Sequence, residues 1–271
     1  MSSAVSHKID DYESLLVALQ NVLGVVVPDE RRVHLVERIE PLLSVHKLDS
    51  LALLAEKLRS EEGEIRADVL DVISQRQANW GVNPETKDVL HNYILAQLPE
   101  KARIWIVGCG QGQLAYSVAM EIAGFERKNG EAKNFELLGT ELSRDDIRQA
   151  EEATYSSQQL MTLNGEYRNS FIIMDGKSEN GQLKNTIRQS VHFSVCDLTS
   201  STQAMGQMDL IICPEILVYF SNGVKTAIIQ QFTDQLKSGG ILLTGHNQSI
   251  PMVQGLERVE HPEGVFYRQK S

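Results

Sequence analysis

The spacing of apolar positions along the chain changes near residue 85. Before that point apolar residues recur every three to four positions, which is the spacing of a helix with one buried face, and no alternating strand pattern appears. The recurring positions form three groups: Tyr12, Leu15, Leu16 and Leu19; Val33, Val36, Ile39 and Leu43; and Leu51, Leu54, Ala55 and Leu58. Residues 1–85 are therefore predicted to form a small all-helical N-terminal domain and a linker.

Capping residues and a proline set the expected limits of these helices. Asp10 or Asp11 is expected to cap the first helix, and Asp49 or Ser50 the third, because short polar side chains accept hydrogen bonds from free backbone N–H groups. Pro41 lies inside the second helical pattern and is expected to kink or shorten that helix.

From about residue 86, apolar runs typical of buried parallel strands alternate with helical segments. The strand candidates are 104–107, 136–139, 191–195, 209–212 and 240–244. The helix candidates are 115–123, 144–152 and 225–236. This alternation predicts a doubly wound α/β sheet over residues 86–271. A polar, glycine-containing stretch at about 155–190 interrupts the alternation and is predicted to be a small inserted subdomain.

Composition and charge limit the kinds of protein that this chain can be. The 271 residues are 42% hydrophobic, which suits a large α/β domain and a smaller second one. A net charge of −10 argues against general nucleic-acid binding. Without a membrane-length apolar run or a signal-peptide core, a cytoplasmic protein with no direct membrane insertion is expected. The three cysteines (Cys109, Cys196 and Cys213) are interpreted as buried reduced thiols, and no metal site is predicted.

The most informative stretch runs from Ile104 to Ala123. An apolar strand leads into a turn through Gly108, Gly110 and Gly112 and then into an amphipathic helix, which is how a nucleotide-type cofactor is seated at the end of a parallel strand. The spacing Gly-x-Gly-x-Gly favours S-adenosyl-L-methionine over a dinucleotide, which would call for Gly-x-Gly-x-x-Gly. A glycine-rich strand-to-helix turn without a ligand is the alternative interpretation.

Further motifs accompany the glycine turn in sequence order. They are Trp105, Ala115-Tyr116-Ser117, Gly139-Thr140-Glu141, the run from His192 to Leu198, the run from Asp209 to Phe220 and the run from Leu236 to His246. The sequence Ile-Leu-Val-Tyr-Phe in the fifth motif and Gly-Gly…Gly-His in the sixth are the most specific. In this order the motifs resemble those of the CheR-type chemotaxis methyltransferases. With the helical N-terminus included, the resemblance covers nearly the whole chain.

The resemblance implies a Rossmann-like methyltransferase fold that binds S-adenosyl-L-methionine. It implies a transferase of a chemotaxis-like signal transduction pathway, for example one controlling pili or surface motility. Its substrates would be glutamate side chains on the cytoplasmic domain of a methyl-accepting chemoreceptor. A monomer is expected.

Several positions depart from the family pattern where the cofactor is expected. The family's Asn-x-Thr-x-Phe-Phe-Arg segment aligns with Arg76, Ala78, Trp80, Gly81 and Val82, which retain only one aromatic residue. Elsewhere a glutamate pair becomes Gln113 and Leu114, an Arg-Asn pair becomes Pro214 and Glu215, and a Ser-Glu pair becomes Asn247 and Gln248. These substitutions bear directly on whether the chain is a working enzyme.

The resemblance assigns a set of site residues. The residues predicted to bind the cofactor are Gly108, Gly110, Gly112, Gln113, Glu141, Asp197, Leu198, Glu215 and Trp80, and the predicted catalytic residue is Tyr219. Glu141 is expected to accept hydrogen bonds from both ribose hydroxyls, or else to be a surface carboxylate. Asp197 is expected to meet the adenine amine, or else to cap a helix that begins at Thr199.

The other three assignments also have alternatives. A carboxylate at Glu215 would pair with the positive charge of the cofactor or repel a substrate glutamate, or else it faces solvent. Tyr219 would lie close to the reacting methyl group and orient a carboxylate, or else it fills the core. Trp80 would cover the cofactor, or else it packs between helices.

Three functions are consistent with these observations. The preferred one is a CheR-type protein-glutamate methyltransferase. The alternative is a non-catalytic binding or regulatory module that has lost cofactor-site residues. A methyltransferase acting on a small molecule or another protein is the third.

Overall fold

The computed structural model of the chain describes residues 2–27, 29–60, 63–74, 80–81, 84–130, 132–214, 216–245 and 250–270. The chain forms two compact units, one comprising Met1–Gln75 with Leu217–Lys225 and the other comprising Arg76–Ile216 with Thr226–Ser271. No helix within the described ranges is long and apolar enough to cross a membrane. The domain boundary expected near residue 85 stays a prediction.

The first unit is built from helices, and the three predicted groups of apolar positions fall in the first three of them. The helices are α1 (Ser2–Leu23), α2 (Asp29–Val45), α3 (Leu51–Arg59) and α4 (Gly63–Ser74). Leu15 and Leu19 of α1 and Leu54 and Leu58 of α3 are all fully buried. The regular spacing of these leucines places them on one face of each helix, and that face forms the core of the unit.

A segment distant in sequence completes the first unit. Phe220 forms an antiparallel β-bridge with Val25, and the Ser221 backbone N–H donates to the Gly24 carbonyl oxygen over 2.6 Å. Gly24 has a φ of 65°, and a Cβ there would lie 2.3 Å from a methyl carbon of Val224. The close approach of this segment therefore depends on glycine at position 24.

The helix limits agree in part with the expected caps. Ser50 caps α3, and its hydroxyl oxygen accepts from the Leu53 N–H over 3.2 Å, as predicted. The prediction that Asp10 or Asp11 caps the first helix was wrong, because α1 begins at Ser2 and both residues lie in its interior. Pro41 does not shorten α2, which continues to Val45. Proline removes one backbone N–H, and the residues on both sides of it keep helical backbone.

The second unit contains two sheets and the helices around them. In chain order its elements are α5 (Pro84–Val89), a π-helical turn (Leu90–Ile94), α6 (Leu95–Gln97), β1 (Arg103–Val107), α7 (Gln113–Asn129), β2 (Glu136–Glu141), α8 (Arg144–Glu152), β3 (Thr154–Ser156), α9 (Ser157–Leu160), α10 (Gly165–Phe171), β4 (Ile172–Met174), β5 (Asn180–Leu183), α11 (Asn185–Arg188), β6 (Val191–Val195), a 3-10 turn (Gln203–Met205), β7 (Met208–Cys213), a 3-10 turn (Ile216–Tyr219), α12 (Asn222–Gln235), β8 (Leu236–Thr244), β9 (Leu256–His261) and β10 (Gly264–Gln269).

The main sheet has seven strands in the order β6-β2-β1-β7-β8-β10-β9. The first five of these strands run parallel and are the five that the sequence predicts, whereas β10 is antiparallel to both of its neighbours. The order reverses at β1, and this reversal makes a doubly wound sheet whose ligands bind beyond the carboxyl ends of the strands. The predicted Rossmann-like α/β fold is thus confirmed.

A second sheet lies where the sequence predicts an inserted subdomain. It is antiparallel with the strand order β3-β5-β4, and the short helices α9, α10 and α11 flank its strands along the chain. β3 directly follows α8, so the insert lies within the crossover from β2 to β6. The Tyr155 hydroxyl on β3 donates to the Gln111 carbonyl oxygen, which places this part of the insert beside the turn that follows β1.

A buried carboxylate ties together the amino ends of three central strands. Asp209 at the start of β7 accepts from the Arg103 backbone N–H over 2.8 Å and from the Lys237 ammonium over 2.6 Å. We expect Asp209→Ala to lower the free energy of unfolding in urea by about 2–3 kcal/mol, because it leaves both donors without an acceptor. Lys237→Met should cost less than about 1 kcal/mol, since Lys237 is 41% exposed and the backbone bond persists. Equal losses of unfolding free energy in the two variants would contradict the structural role given to the Asp209 carboxylate.

Candidate functional site

The glycine turn between β1 and α7 is shaped by close neighbours. Gly108, Gly110 and Gly112 have φ values of 65°, 54° and 94°, a region that a side chain disfavours. A Cβ on Gly108 would lie 2.8 Å from the Cδ1 atom of Ile216. A Cβ on Gly112 would lie 3.0 Å from the Cβ of Ala150. The turn therefore needs glycine at both positions for its conformation and for space.

Glu141 is bound to this turn. It ends β2, is 6% exposed, and accepts from the Gly110 N–H over 3.0 Å and from the Leu142 N–H over 2.7 Å. The alternative interpretation of Glu141 as a surface carboxylate was therefore wrong. The ribose contact stays a prediction.

Gln113 opens α7 and carries a polar group in an unusual setting. The residue is 1% exposed, and neither its Oε1 nor its Nε2 atom has a hydrogen-bond partner among the described residues. A buried amide left without partners costs free energy of folding. Such an amide beside a glycine turn is suited to meeting polar groups of a bound ligand.

Trp80 lies against the inserted subdomain. It is largely buried, its ring meets that of Tyr155 edge-to-face with centroids 4.8 Å apart, and its Nε1 atom has no partner among the described residues. The next residue, Gly81, donates its N–H to the Ser117 hydroxyl over 2.8 Å, and that hydroxyl donates to the Gln113 carbonyl oxygen over 2.7 Å. These bonds join the segment at Trp80 to the first turn of α7. The covering role of Trp80 stays a prediction.

Asp197 uses its carboxylate within its own turn. One oxygen accepts from the Thr199 N–H over 2.8 Å and from the Thr199 hydroxyl over 2.7 Å, and the other accepts from the Ser200 hydroxyl over 3.4 Å. No helix begins at Thr199, so the N-cap alternative was wrong and the same bonds stabilise a turn instead. Leu198 beside it is buried. The adenine contact of these two residues stays a prediction.

Some predicted residues cannot be placed at the site. Glu215 lies outside the described residues, as do the aligned linker positions 76, 78 and 82 and residues 246–248. The backbone of Tyr219 belongs to the 3-10 turn Ile216–Tyr219, but its side chain is outside what the structure describes. The roles of Glu215 and Tyr219 stay predictions.

The three cysteines are free thiols, and they differ in burial. Cys109 and Cys213 are buried as expected, whereas Cys196 is only partly buried. Desolvation, with Asp197 and Glu141 nearby, raises the pKa of Cys196 to about 11. Among the described residues no cluster of side chains could hold a metal ion, so nothing in these ranges points to a thiol metal site.

Cys196 therefore offers a test of the electrostatics near Glu141. Only the thiolate reacts with iodoacetamide, so at pH 8 we expect alkylation of Cys196 in the folded protein to be about 100-fold slower than in the unfolded chain. The rate should rise with pH up to about 11. Peptide mass mapping identifies the alkylated cysteine, and the Cys196→Ala variant gives the background alkylation at other sites. Equal rates in both states would contradict the raised pKa.

Hydrogen bonds join Glu141 to the glycine turn and the Trp80 segment to the first turn of α7, where Gln113 lies. The sequence interpretation missed Tyr155, whose hydroxyl donates to the Gln111 carbonyl oxygen over 2.7 Å. Tyr155 stands at the start of the polar insert and lies in no motif, so only the topology of the insert could have placed it there.

Comparisons with known proteins identify a family that this chain resembles over most of its length. Residues 81–265 match the family described as CheR methyltransferase, SAM binding domain. "Chemotaxis protein methyltransferase 1" of Pseudomonas aeruginosa is 26% identical over 269 residues, covering 96% of this chain and 98% of the relative. A "Chemotaxis protein methyltransferase" of Vibrio parahaemolyticus is 26% identical over 275 residues, covering 99% of this chain and 100% of the relative. Among solved structures, a TehB-like SAM-dependent methyltransferase from Corynebacterium glutamicum is 15% identical with a TM-score of 0.41. The match covers 79% of this chain and 98% of that structure's chain.

Proposed function

Because the chain belongs to the CheR methyltransferase family and is therefore an S-adenosylmethionine-dependent methyltransferase, we propose that it methylates glutamate side chains on the cytoplasmic domain of a methyl-accepting chemoreceptor. The observation that carries the proposal is the near full-length match to proteins named chemotaxis protein methyltransferases. The family match includes the glycine turn, so the non-catalytic alternative is not favoured. Acting on this receptor domain places the protein in the cytoplasm, and we infer that it acts as a monomer.

The described residues fit the cofactor. The Gln113 amide, which has no hydrogen-bond partner within the described ranges, has both a donor and an acceptor, which match the carboxylate and the ammonium of a methionine group. A carboxylate at the end of β2, as at Glu141, matches the ribose hydroxyls of a nucleoside. The missing Cβ atoms at Gly108 and Gly112 let Ile216 and Ala150 pack against the turn, and this packing holds the turn in its shape. These features support binding of an adenosyl amino acid.

The chain's own residues need to supply alignment more than proton transfer. When bound, S-adenosylmethionine supplies an electrophilic methyl group on a positively charged sulfur. A glutamate acceptor is already ionised at neutral pH, so no general base is required. The protein therefore has to orient the two reactants and exclude water. Loss of several polar family residues is compatible with activity for this reason.

Two residues are proposed for the methyl-transfer end of the site. Tyr219 would orient the acceptor carboxylate through its hydroxyl, and Glu215 would pair with the cationic part of the cofactor. Support for both comes from their positions in the run from Asp209 to Phe220. Asp197 with Leu198 is proposed to contact adenine, and Trp80 is proposed to cover the site.

A labelled methyl-transfer assay tests the acceptor. The protein is incubated with S-adenosylmethionine carrying a tritiated methyl group and with the purified cytoplasmic domain of a methyl-accepting receptor. We expect label on the receptor that mild alkali releases as methanol, because only a carboxyl ester is that labile. Receptors with glutamine at the acceptor positions are the control, since an amide oxygen is a poor nucleophile. Alkali-stable label, or label on small molecules alone, would support a different methyltransferase class.

A further inference from the structure

The inserted subdomain contacts the glycine turn directly. The Tyr155 hydroxyl, on β3, donates a hydrogen bond of 2.7 Å to the backbone oxygen of Gln111, which stands between Gly110 and Gly112. The side-chain amide of Gln159, on α9, donates to the side-chain oxygen of Gln111 over 3.2 Å. One residue of the turn is thus held at its backbone and at its side chain by two successive elements of the insert.

Tyr155 is itself held firmly. Its side chain is 2% exposed, and its backbone pairs with Gly181 of the middle strand β5. Its ring packs edge-to-face on Trp80. A Cβ on Gly112 would lie 3.1 Å from its hydroxyl oxygen, so the hydroxyl lies directly against the turn. Tyr155 therefore cannot turn away from Gln111 without breaking other contacts.

Gln159 is fixed in the same way. It closes a capping box with Ser156, in which the Gln159 side-chain oxygen accepts from the Ser156 N–H over 2.9 Å and the Ser156 hydroxyl oxygen accepts from the Gln159 N–H over 3.2 Å. Its amide nitrogen is left to donate to Gln111. Burial also raises the pKa of Tyr155 well above its usual range, so the phenol remains a donor at neutral and mildly alkaline pH.

We propose that Tyr155 and Gln159 are positioning residues, which hold the glycine turn in the shape that binds the cofactor. The inserted subdomain is then a structural part of the cofactor site, and both residues act through Gln111. The inference rests on the cofactor site of the proposed function and is independent of the identity of the methyl acceptor. Three glycines give the turn many accessible conformations, so losing these bonds lowers affinity by removing preorganisation.

Two small substitutions separate positioning from folding. Tyr155→Phe removes only a hydroxyl, and Gln159→Glu removes the donor to Gln111 while keeping the oxygen that accepts from Ser156. We expect each to raise the Kd for S-adenosylhomocysteine about fivefold in calorimetry, and the pair to raise it by about 20-fold. In cofactor-free protein, amide hydrogen exchange of residues 109–113 should accelerate in both variants, because the turn opens more often.

Thr233→Val is the matched control. The Thr233 hydroxyl is also buried and donates to a backbone oxygen, that of Ile229 in α12, over 2.8 Å. Its removal should leave the Kd and the exchange of residues 109–113 within about twofold of wild type. A Tyr155→Phe protein that matches Thr233→Val in both measurements overturns the proposal, as does unchanged exchange in both test variants. Failure of the wild type to methylate chemoreceptors would overturn the acceptor assignment alone.

Discussion

Gly112→Ala is expected to abolish measurable binding of S-adenosylhomocysteine and to lower the free energy of unfolding by about 2–5 kcal/mol. The backbone at Gly112 has a φ of 94°, which costs a residue with a side chain about 1–2 kcal/mol. The added methyl group would meet the Cβ of Ala150 and the Tyr155 hydroxyl at 3.0 and 3.1 Å, and such overpacking costs about 1–3 kcal/mol. The turn has to move to relieve both, and the ligand site moves with it. Calorimetric titration and urea denaturation measure the two effects.

Gly130→Ala separates the effect of backbone strain from the effect of overpacking. Gly130 lies just beyond the other end of α7 with a φ of 69°, but nothing lies within 4 Å of a Cβ built there. This variant should lose about 1 kcal/mol from backbone strain alone and keep its cofactor affinity. If Gly112→Ala binds the ligand as well as Gly130→Ala does, the turn is not the cofactor site.

Glu141→Ala is expected to weaken binding of S-adenosylhomocysteine by about 100-fold. The change removes the acceptor proposed for the ribose hydroxyls and leaves the Gly110 and Leu142 N–H groups without the carboxylate. Charge-assisted hydrogen bonds of this kind contribute about 1.5–3 kcal/mol each, and about 2.7 kcal/mol corresponds to the stated factor. Glu141→Asp, which keeps the charge, should lose much less affinity. Both values come from the same titration.

Asp209→Ala is the control for Glu141→Ala. Each variant removes a buried carboxylate that accepts from a backbone N–H, but Asp209 lies at the amino ends of the parallel strands and Glu141 lies at a carboxyl end. Both should lower stability, and only Glu141→Ala should lower affinity. Equal affinity of the two variants would mean that Glu141 has only a structural role.

The main sheet could be predicted because its central strands are buried on both faces. In β1 the residues Ile104, Trp105, Ile106 and Val107 are at most 1% exposed, and such strands appear in a sequence as uninterrupted apolar runs. The β9–β10 hairpin was missed for the opposite reason. β9 is an edge strand with the sequence Leu-Glu-Arg-Val-Glu-His, whose many polar residues hide the strand pattern.

The candidate site shows the same contrast between local and distant information. The positive φ values at Gly108, Gly110 and Gly112 follow from a short local motif, and so the turn was predictable. The contact of Tyr155 with Gln111 joins residues 44 positions apart, with α7, β2 and α8 between them in the chain. The association of residues 217–225 with the helical unit also depends on a distant pairing, that of Phe220 with Val25. Pairings of this kind are set by topology, which a single sequence does not display.

Calorimetric titration of the wild-type protein with S-adenosylhomocysteine is the most direct test that this chain is a working methyltransferase of its family. The fit of Gln113, Glu141 and the glycine turn predicts one-to-one binding in the micromolar range. Absence of detectable heat at millimolar ligand, in protein that unfolds cooperatively, would contradict the account. That result would favour the alternative, a non-catalytic binding or regulatory module.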